Sequence, residues 1–145
     1  MKLDYLAKPF TLDIHVDTSD VDGLGHVNNA VYVTWMERCA WAHSETLGIG
    51  LDVYQSVDRA MAVHRHEIDY LAPAHAGEAL TLATWIVTTD HRLRMDRHFQ
   101  LVRPADEATL LRAVTTFVCI EMSSGRPKRM PELFLERYGQ ALIQG

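Results

Sequence analysis

A chain of 145 residues with 48% apolar side chains is one ordinary domain, 1–145, large enough to bury a core. A net charge of −5 and a pI near 5.9 exclude general nucleic-acid binding. Lys2, Asp4, Lys8 and Asp13 interrupt the start of the chain and no apolar run reaches transmembrane length, which predicts a cytoplasmic protein without signal peptide or membrane insertion.

The first element is a strand. Phe10, Leu12, Ile14 and Val16 alternate with Thr11, Asp13, His15 and Asp17, giving one apolar face. A loop follows at Asp22-Gly23-Leu24-Gly25-His26-Val27-Asn28-Asn29, with Asp17 and Asp20 read as loop or cap residues before it. Asn28 is the expected N-cap of a long helix over Ala30 to Leu47, stopped at Gly48. Its buried stripe is read from Val31, Trp35, Cys39, Ala42 and Thr46 and, offset by one, Tyr32, Met36, His43 and Leu47, which recur at three- and four-residue spacing. After a short connector near Leu51 to Val57, four strands are predicted at Met61–Tyr70, Ala79–Thr88, Leu93–Arg103 and Thr109–Met122. Turn chemistry separates them, and Pro131 to Ile143 is expected to form a last helix. The order of elements, without repeats or linkers, describes an α+β domain. Cys39 and Cys119 lack metal or redox spacing and are expected to be reduced, buried thiols.

The loop carries the chemistry. It places the carboxylate of Asp22 a few residues before a helix N-terminus, where the first backbone N–H groups have no partner in the helix. A carboxylate supplies a nucleophile or a base, and unpaired N–H groups stabilise an oxyanion, so the pair suits attack on a carbonyl. Gly23 and Gly25 let the chain turn sharply and approach a ligand closely.

The segment from Ser19 to Glu37, containing Asp20, Asp22, Gly25, His26, Val27, Asn28, Asn29, Tyr32 and Glu37, resembles the signature of hotdog-fold acyl-CoA thioesterases of the 4-hydroxybenzoyl-CoA thioesterase type. The stretches Tyr70 to Glu78 and Ser124 to Glu132 agree with it. The resemblance implies a hotdog fold, in which a five-stranded antiparallel sheet wraps a long central helix, and an acyl-CoA substrate with no cofactor. It also implies a homodimer or a dimer of dimers, because a lone sheet of this kind leaves its edges to be covered.

A thioester releases a thiol with a pKa near about 8.5, so departure needs little protonation and a general acid is dispensable. Asp22 is then the nucleophile, forming a mixed anhydride, or the base that activates water; the sequence leaves both routes open. The family's use of this helix end makes the N–H of Asn29, helped by Asn28, the oxyanion donor. The resemblance places Asn28 and Tyr32 on the substrate side. His26, four residues after Asp22, can act as an acid–base partner or shape the loop and orient the carbonyl, and the thiol leaving group favours the second role. Glu37 and Arg38 read as solvated or structural residues.

Eleven arginines outnumber three lysines. His91, Arg92, Arg94, Arg97, His98 and Arg103 crowd one hairpin arm, and Arg126, Lys128 and Arg129 follow the last strand. The planar guanidinium suits phosphate, so these groups are candidates for the nucleotide end of coenzyme A, with Arg92 and Arg126 the first choices because both adjoin turns. Trp35, Met36, Trp41, Trp85 and Phe99 either line an acyl pocket or fill the core. His64 and His66 share a strand face without a third ligand at diagnostic spacing, and no metal is expected. Two other readings stand beside hydrolysis. One is a hotdog hydratase or dehydratase, disfavoured because Gly-Leu-Gly stands where those enzymes carry Asn-Pro. The other is a non-catalytic acyl-CoA binder.

Overall fold

A computed structural model describes residues 3–4 and 8–142 of the chain. One strand, β1 (Phe10–His15), precedes the long helix α1 (Asn29–Thr46), and four strands follow the short helix α2 (Leu51–Val57). These are β2 (Arg59–Tyr70), β3 (Ala79–Thr89), β4 (Arg94–Arg103) and β5 (Ala108–Glu121), with α3 (Glu132–Gln140) at the end. The strands form one five-stranded sheet in the order β1-β3-β4-β5-β2, so β1 and β2 are its edges. β1 runs antiparallel to β3, with Phe10 opposite Thr84 and His15 opposite Ala79. This is the hotdog arrangement expected from the sequence. No helix among the described residues is long and apolar enough to cross a membrane.

The chain divides into two compact groupings. In the first, which takes in residues up to 42, 68–84 and 99–113, Tyr32, Trp35, Met36 and Cys39 of α1 pack with Ile14, Leu80, Leu82, Phe99, Leu101, Leu110 and Leu111 from the strands. Period-two alternation in β1 and three- and four-residue spacing in α1 present these side chains to one core. Trp35, Met36 and Phe99 are each at most 3% exposed and belong to that core.

The second grouping comprises residues 43–67, 85–98 and the described residues from 114 on. Here the expected connector is a helix instead: Gly50 precedes α2 in an extended conformation and Asp58 closes it in the left-handed region at φ 51°. Seven residues are too few to hold a helix on propensity alone. Packing holds it, because buried Tyr54 bonds through its hydroxyl to Tyr138 of α3 at 2.9 Å. The Tyr138 hydroxyl also meets Ser44 Oγ at 3.0 Å. Nearby, Arg97 is 1% exposed and its Nη1 lies 2.7 Å from His43 Nδ1. Burial, reinforced by the Arg97 charge, pushes His43 down to about 4.

Candidate active site

The local sequence builds a small hairpin before α1. Asp17 caps a single 3-10 turn at Thr18–Asp20, and Asp20 returns a bond to the Asp17 N–H, so both carboxylates are occupied as caps. Val21 then pairs antiparallel with Val27, and the Asp22 N–H donates to the His26 C=O at 2.7 Å. Of the two glycines, Gly25 takes the left-handed conformation, φ +79°, that an L side chain would resist, and its N–H bonds to the Asp22 C=O at 3.0 Å. The loop closes where the Asn28 N–H donates to the Asp20 C=O at 2.9 Å.

Within this hairpin Asp22 is exposed, and one carboxylate oxygen, Oδ1, accepts the N–H groups of Leu24 at 2.8 Å and His26 at 3.3 Å. No hydrogen bond among the described residues uses Oδ2. The Asn28 Oδ1 accepts the Ala30 N–H at 3.0 Å, as an N-cap does. Its own backbone N–H donates to the Asp20 C=O. The N–H of Asn29 has no acceptor among the described residues. No acidic side chain in the first turn of α1 competes for the positive end of its dipole.

The surrounding residues fix this helix end. Tyr70, the last residue of β2, donates its hydroxyl to the Asn29 C=O at 3.4 Å. Tyr32 is 4% exposed, and its hydroxyl oxygen accepts the Ala74 N–H at 3.2 Å. Burial pushes the Tyr32 phenol upward, so it stays protonated and acts as a tie from α1 to the segment after β2. His26 pairs antiparallel with His75, and their rings meet edge to face with centroids 5.3 Å apart. This contact escaped the sequence reading; its only signal was a histidine beside the Gly77 turn.

The basic residues separate on inspection. In the second grouping Arg92 and Arg126 are both exposed. Asp90 Oδ1 accepts the N–H groups of Arg92, Leu93 and Arg94 at 2.8, 2.8 and 3.0 Å, which fixes the turn that presents Arg92. Arg126 lines a surface concavity with Glu121, Ser124, Pro127 and Lys128, and Lys128 is tied to Glu121 at 2.7 Å. Arg97 is withdrawn from the candidates by its burial beside His43. Its parity with Met95 and Phe99 along β4 carried that information, since all three face the same way. In the first grouping Arg103 is engaged as well, with Glu78 at 3.0 Å and Asp106 at 2.8 Å. His66 Nδ1 bonds to Thr115 Oγ1 at 2.8 Å. Among the described residues no three His, Cys, Asp or Glu side chains converge on a metal position.

Residues 16–138 match the model of the thioesterase-like superfamily. The chain is 27% identical over 129 residues to a 1,4-dihydroxy-2-naphthoyl-CoA hydrolase of Synechocystis, a match covering 85% of this chain and 89% of the other. It is 26% identical over 134 residues to a chloroplastic acyl-acyl carrier protein thioesterase of Arabidopsis thaliana, covering 92% and 69%. Among solved structures, a Staphylococcus aureus protein in complex with CoA superposes with a TM-score of 0.85 at 16% identity, over 99% of this chain and 92% of that one.

Proposed function

Because this chain belongs to the thioesterase-like superfamily, we propose that it hydrolyses an acyl-CoA thioester to the free acid and coenzyme A, with Asp22 as nucleophile or general base and the Asn29 N–H as oxyanion donor. The observation that carries this reading is the pairing of a carboxylate with one oxygen unspent and a helix-start N–H with no acceptor, both set by one closed loop. His26 shapes that loop through its backbone bonds to Asp22. Within the superfamily, the motif from Asp20 to Asn29 favours the 4-hydroxybenzoyl-CoA type. The same reading takes residues 1–145 as one cytoplasmic domain, in keeping with two buried cysteines that form no disulfide.

The reaction needs an attacking oxygen, a charge sink for the carbonyl and a grip on the remote end of the substrate. Either Asp22 attacks the carbonyl carbon and water later cleaves the resulting acyl–Asp22 anhydride to release the acid, or Asp22 takes a proton from the water that attacks; in both routes the negative charge develops on the carbonyl oxygen toward the Asn29 N–H and the thiolate departs without a general acid. Release of free thiol from benzoyl-CoA, phenylacetyl-CoA, hexanoyl-CoA and palmitoyl-CoA, and from the matching carrier-protein thioesters, tests the reading. Turnover of at least one substrate is expected. Tight binding without thiol release from any of them would favour the non-catalytic binder.

Arg92 and Arg126 are proposed to hold coenzyme A phosphates. Arg92→Ala or Arg126→Ala is expected to raise KM for acyl-CoA by about tenfold to a hundredfold, the worth of a charged hydrogen bond of roughly 1.5–3 kcal/mol. A truncated thioester lacking the nucleotide should respond less. Equal effects on both substrates would assign the arginines a structural part.

A homodimer or a dimer of dimers is part of the same proposal. β2 is an edge of the sheet, exposed from Val63 to Glu67 and again at Tyr70, and Val63 and Tyr70 are large apolar side chains 54% and 45% exposed. Such an edge offers unpaired backbone groups to a second copy. Sedimentation at micromolar protein is expected to give a dimer or larger species, and a single 16.4 kDa species would contradict it.

A further inference from the structure

We propose that His75 and Glu78 are positioning residues that hold the Asp22 loop in its working geometry, acting through His26; the inference rests on the assignment of Asp22 above. The segment after β2 turns at Gly77, φ +84°, bringing the Glu78 N–H back to the His75 C=O at 3.2 Å. In that turn the Glu78 carboxylate faces in two directions. Its Oε1 accepts the His75 N–H at 2.6 Å and lies 3.3 Å from the His75 ring Nδ1, while Oε2 takes Arg103 Nη1 at 3.0 Å. Arg103 is braced in turn by Asp106 through Nε at 3.0 Å and Nη2 at 2.8 Å.

The Glu78 and Arg103 side chains are only 24% and 19% exposed, so this pair is less screened than a surface ion pair and holds the turn from below. The outer end of the turn bears on the loop. His75 pairs with His26, and the neighbouring Val27 N–H donates to the Ala74 C=O at 3.0 Å. His26 in turn grips Asp22 at both ends, accepting its backbone N–H at 2.7 Å and donating to its Oδ1 at 3.3 Å. The path from Arg103 to the Asp22 carboxylate is therefore a series of hydrogen bonds and one ring contact that runs through His75 and His26. Attack on a carbonyl is sensitive to displacements of about 1 Å, so loosening this brace lowers kcat while the remote grip on the substrate is kept.

Glu78→Gln, His75→Ala and the double variant test the inference in the full-length protein, with the best substrate of the acyl-CoA panel and with amide hydrogen exchange at Asp22 and Val27. Each single variant is expected to lower kcat about three- to tenfold with KM within about twofold, and the double variant should match the worse single, as members of one network do. Exchange at Asp22 and Val27 should quicken by about threefold or more in all three. Asp4→Asn removes the exposed Asp4–Arg112 pair, 2.8 Å apart with side chains 43% and 49% exposed, and should leave every reading unchanged. Unchanged exchange, losses that multiply in the double variant, or the same response from Asp4→Asn would overturn the proposal. Failure of the Asp22 assignment is distinguishable, because an active Asp22→Asn enzyme leaves the exchange result intact, whereas unchanged exchange beside an inactive Asp22→Asn removes only the brace.

Discussion

Asp22→Asn is expected to lower kcat by at least about a hundredfold, with KM and thermal stability close to those of the parent protein. Base catalysis alone contributes about 10²–10⁴-fold, and the amide can neither attack a carbonyl nor accept a proton. The geometry explains why the fold should tolerate the change. The two backbone N–H groups that Asp22 receives, from Leu24 and His26, both end on Oδ1, and an asparagine Oδ1 can accept the same pair. The bond from the Asp22 N–H to the His26 C=O belongs to the main chain and survives. What disappears is the negative charge of the carboxylate. Steady-state kinetics with a thermal melt on the same sample check it, and near-parental turnover by a folded Asp22→Asn protein would remove Asp22 from the chemistry.

Acidification below pH 6.5 is expected to destabilise the protein, and His43 supplies the largest resolved part. Its imidazole is 8% exposed and held down to about 4 from an ordinary value of 6.5. Burial is the leading cause and the Arg97 guanidinium adds to it. The unfolded chain therefore takes up a proton on His43 below pH 6.5 that the folded chain refuses until about pH 4. The stability is fully present above the upper value and is lost progressively as pH falls through the window. Integrated over the window the loss is on the order of 3 kcal/mol, a factor above about a hundred in the folding equilibrium. His66 and His98 are also held down by burial and act with the same sign. Urea unfolding at pH 7, 6 and 5 should show stability falling with pH, and His43→Gln, which does not titrate, should flatten the slope by the His43 share. An identical slope in the two proteins would refute the assignment.

Much of the architecture could be read from side-chain spacing. Alternation in β1 and the three- and four-residue spacing of Tyr32, Trp35, Met36 and Cys39 are direct consequences of period-two and period-3.6 backbones facing one core. α2 was illegible because its stability comes from Tyr54 meeting Tyr138, a contact between residues 84 apart in sequence. The Asp22 hairpin was legible as a loop and a cap, since Gly25 and Asn28 signal them locally. That the Asn28 N–H is consumed by Asp20 depends on how the hairpin closes, which no local rule reports. The basic residues were the least legible group: a positive side chain on a strand reads as solvated, and only parity with Met95 and Phe99 marks Arg97 as inward. The tie from Tyr32 to Ala74 was illegible for another reason, because a motif position says nothing of which way a phenol points until Ala74 is brought to it.

The two cysteines have a practical bearing on how this enzyme can be followed. Cys39 and Cys119 are both 0% exposed and are the chain's only thiols. Burial pushes Cys119 up to about 11, against a small opposing influence of Arg59, so its reactive thiolate form is scarce at neutral pH. A chromogenic disulfide reagent added to the folded protein should therefore register coenzyme A as it is liberated, with a flat protein-only baseline. The same reagent becomes a reporter of opening once urea exposes the chain, so one cuvette can monitor turnover and, in a second run, unfolding.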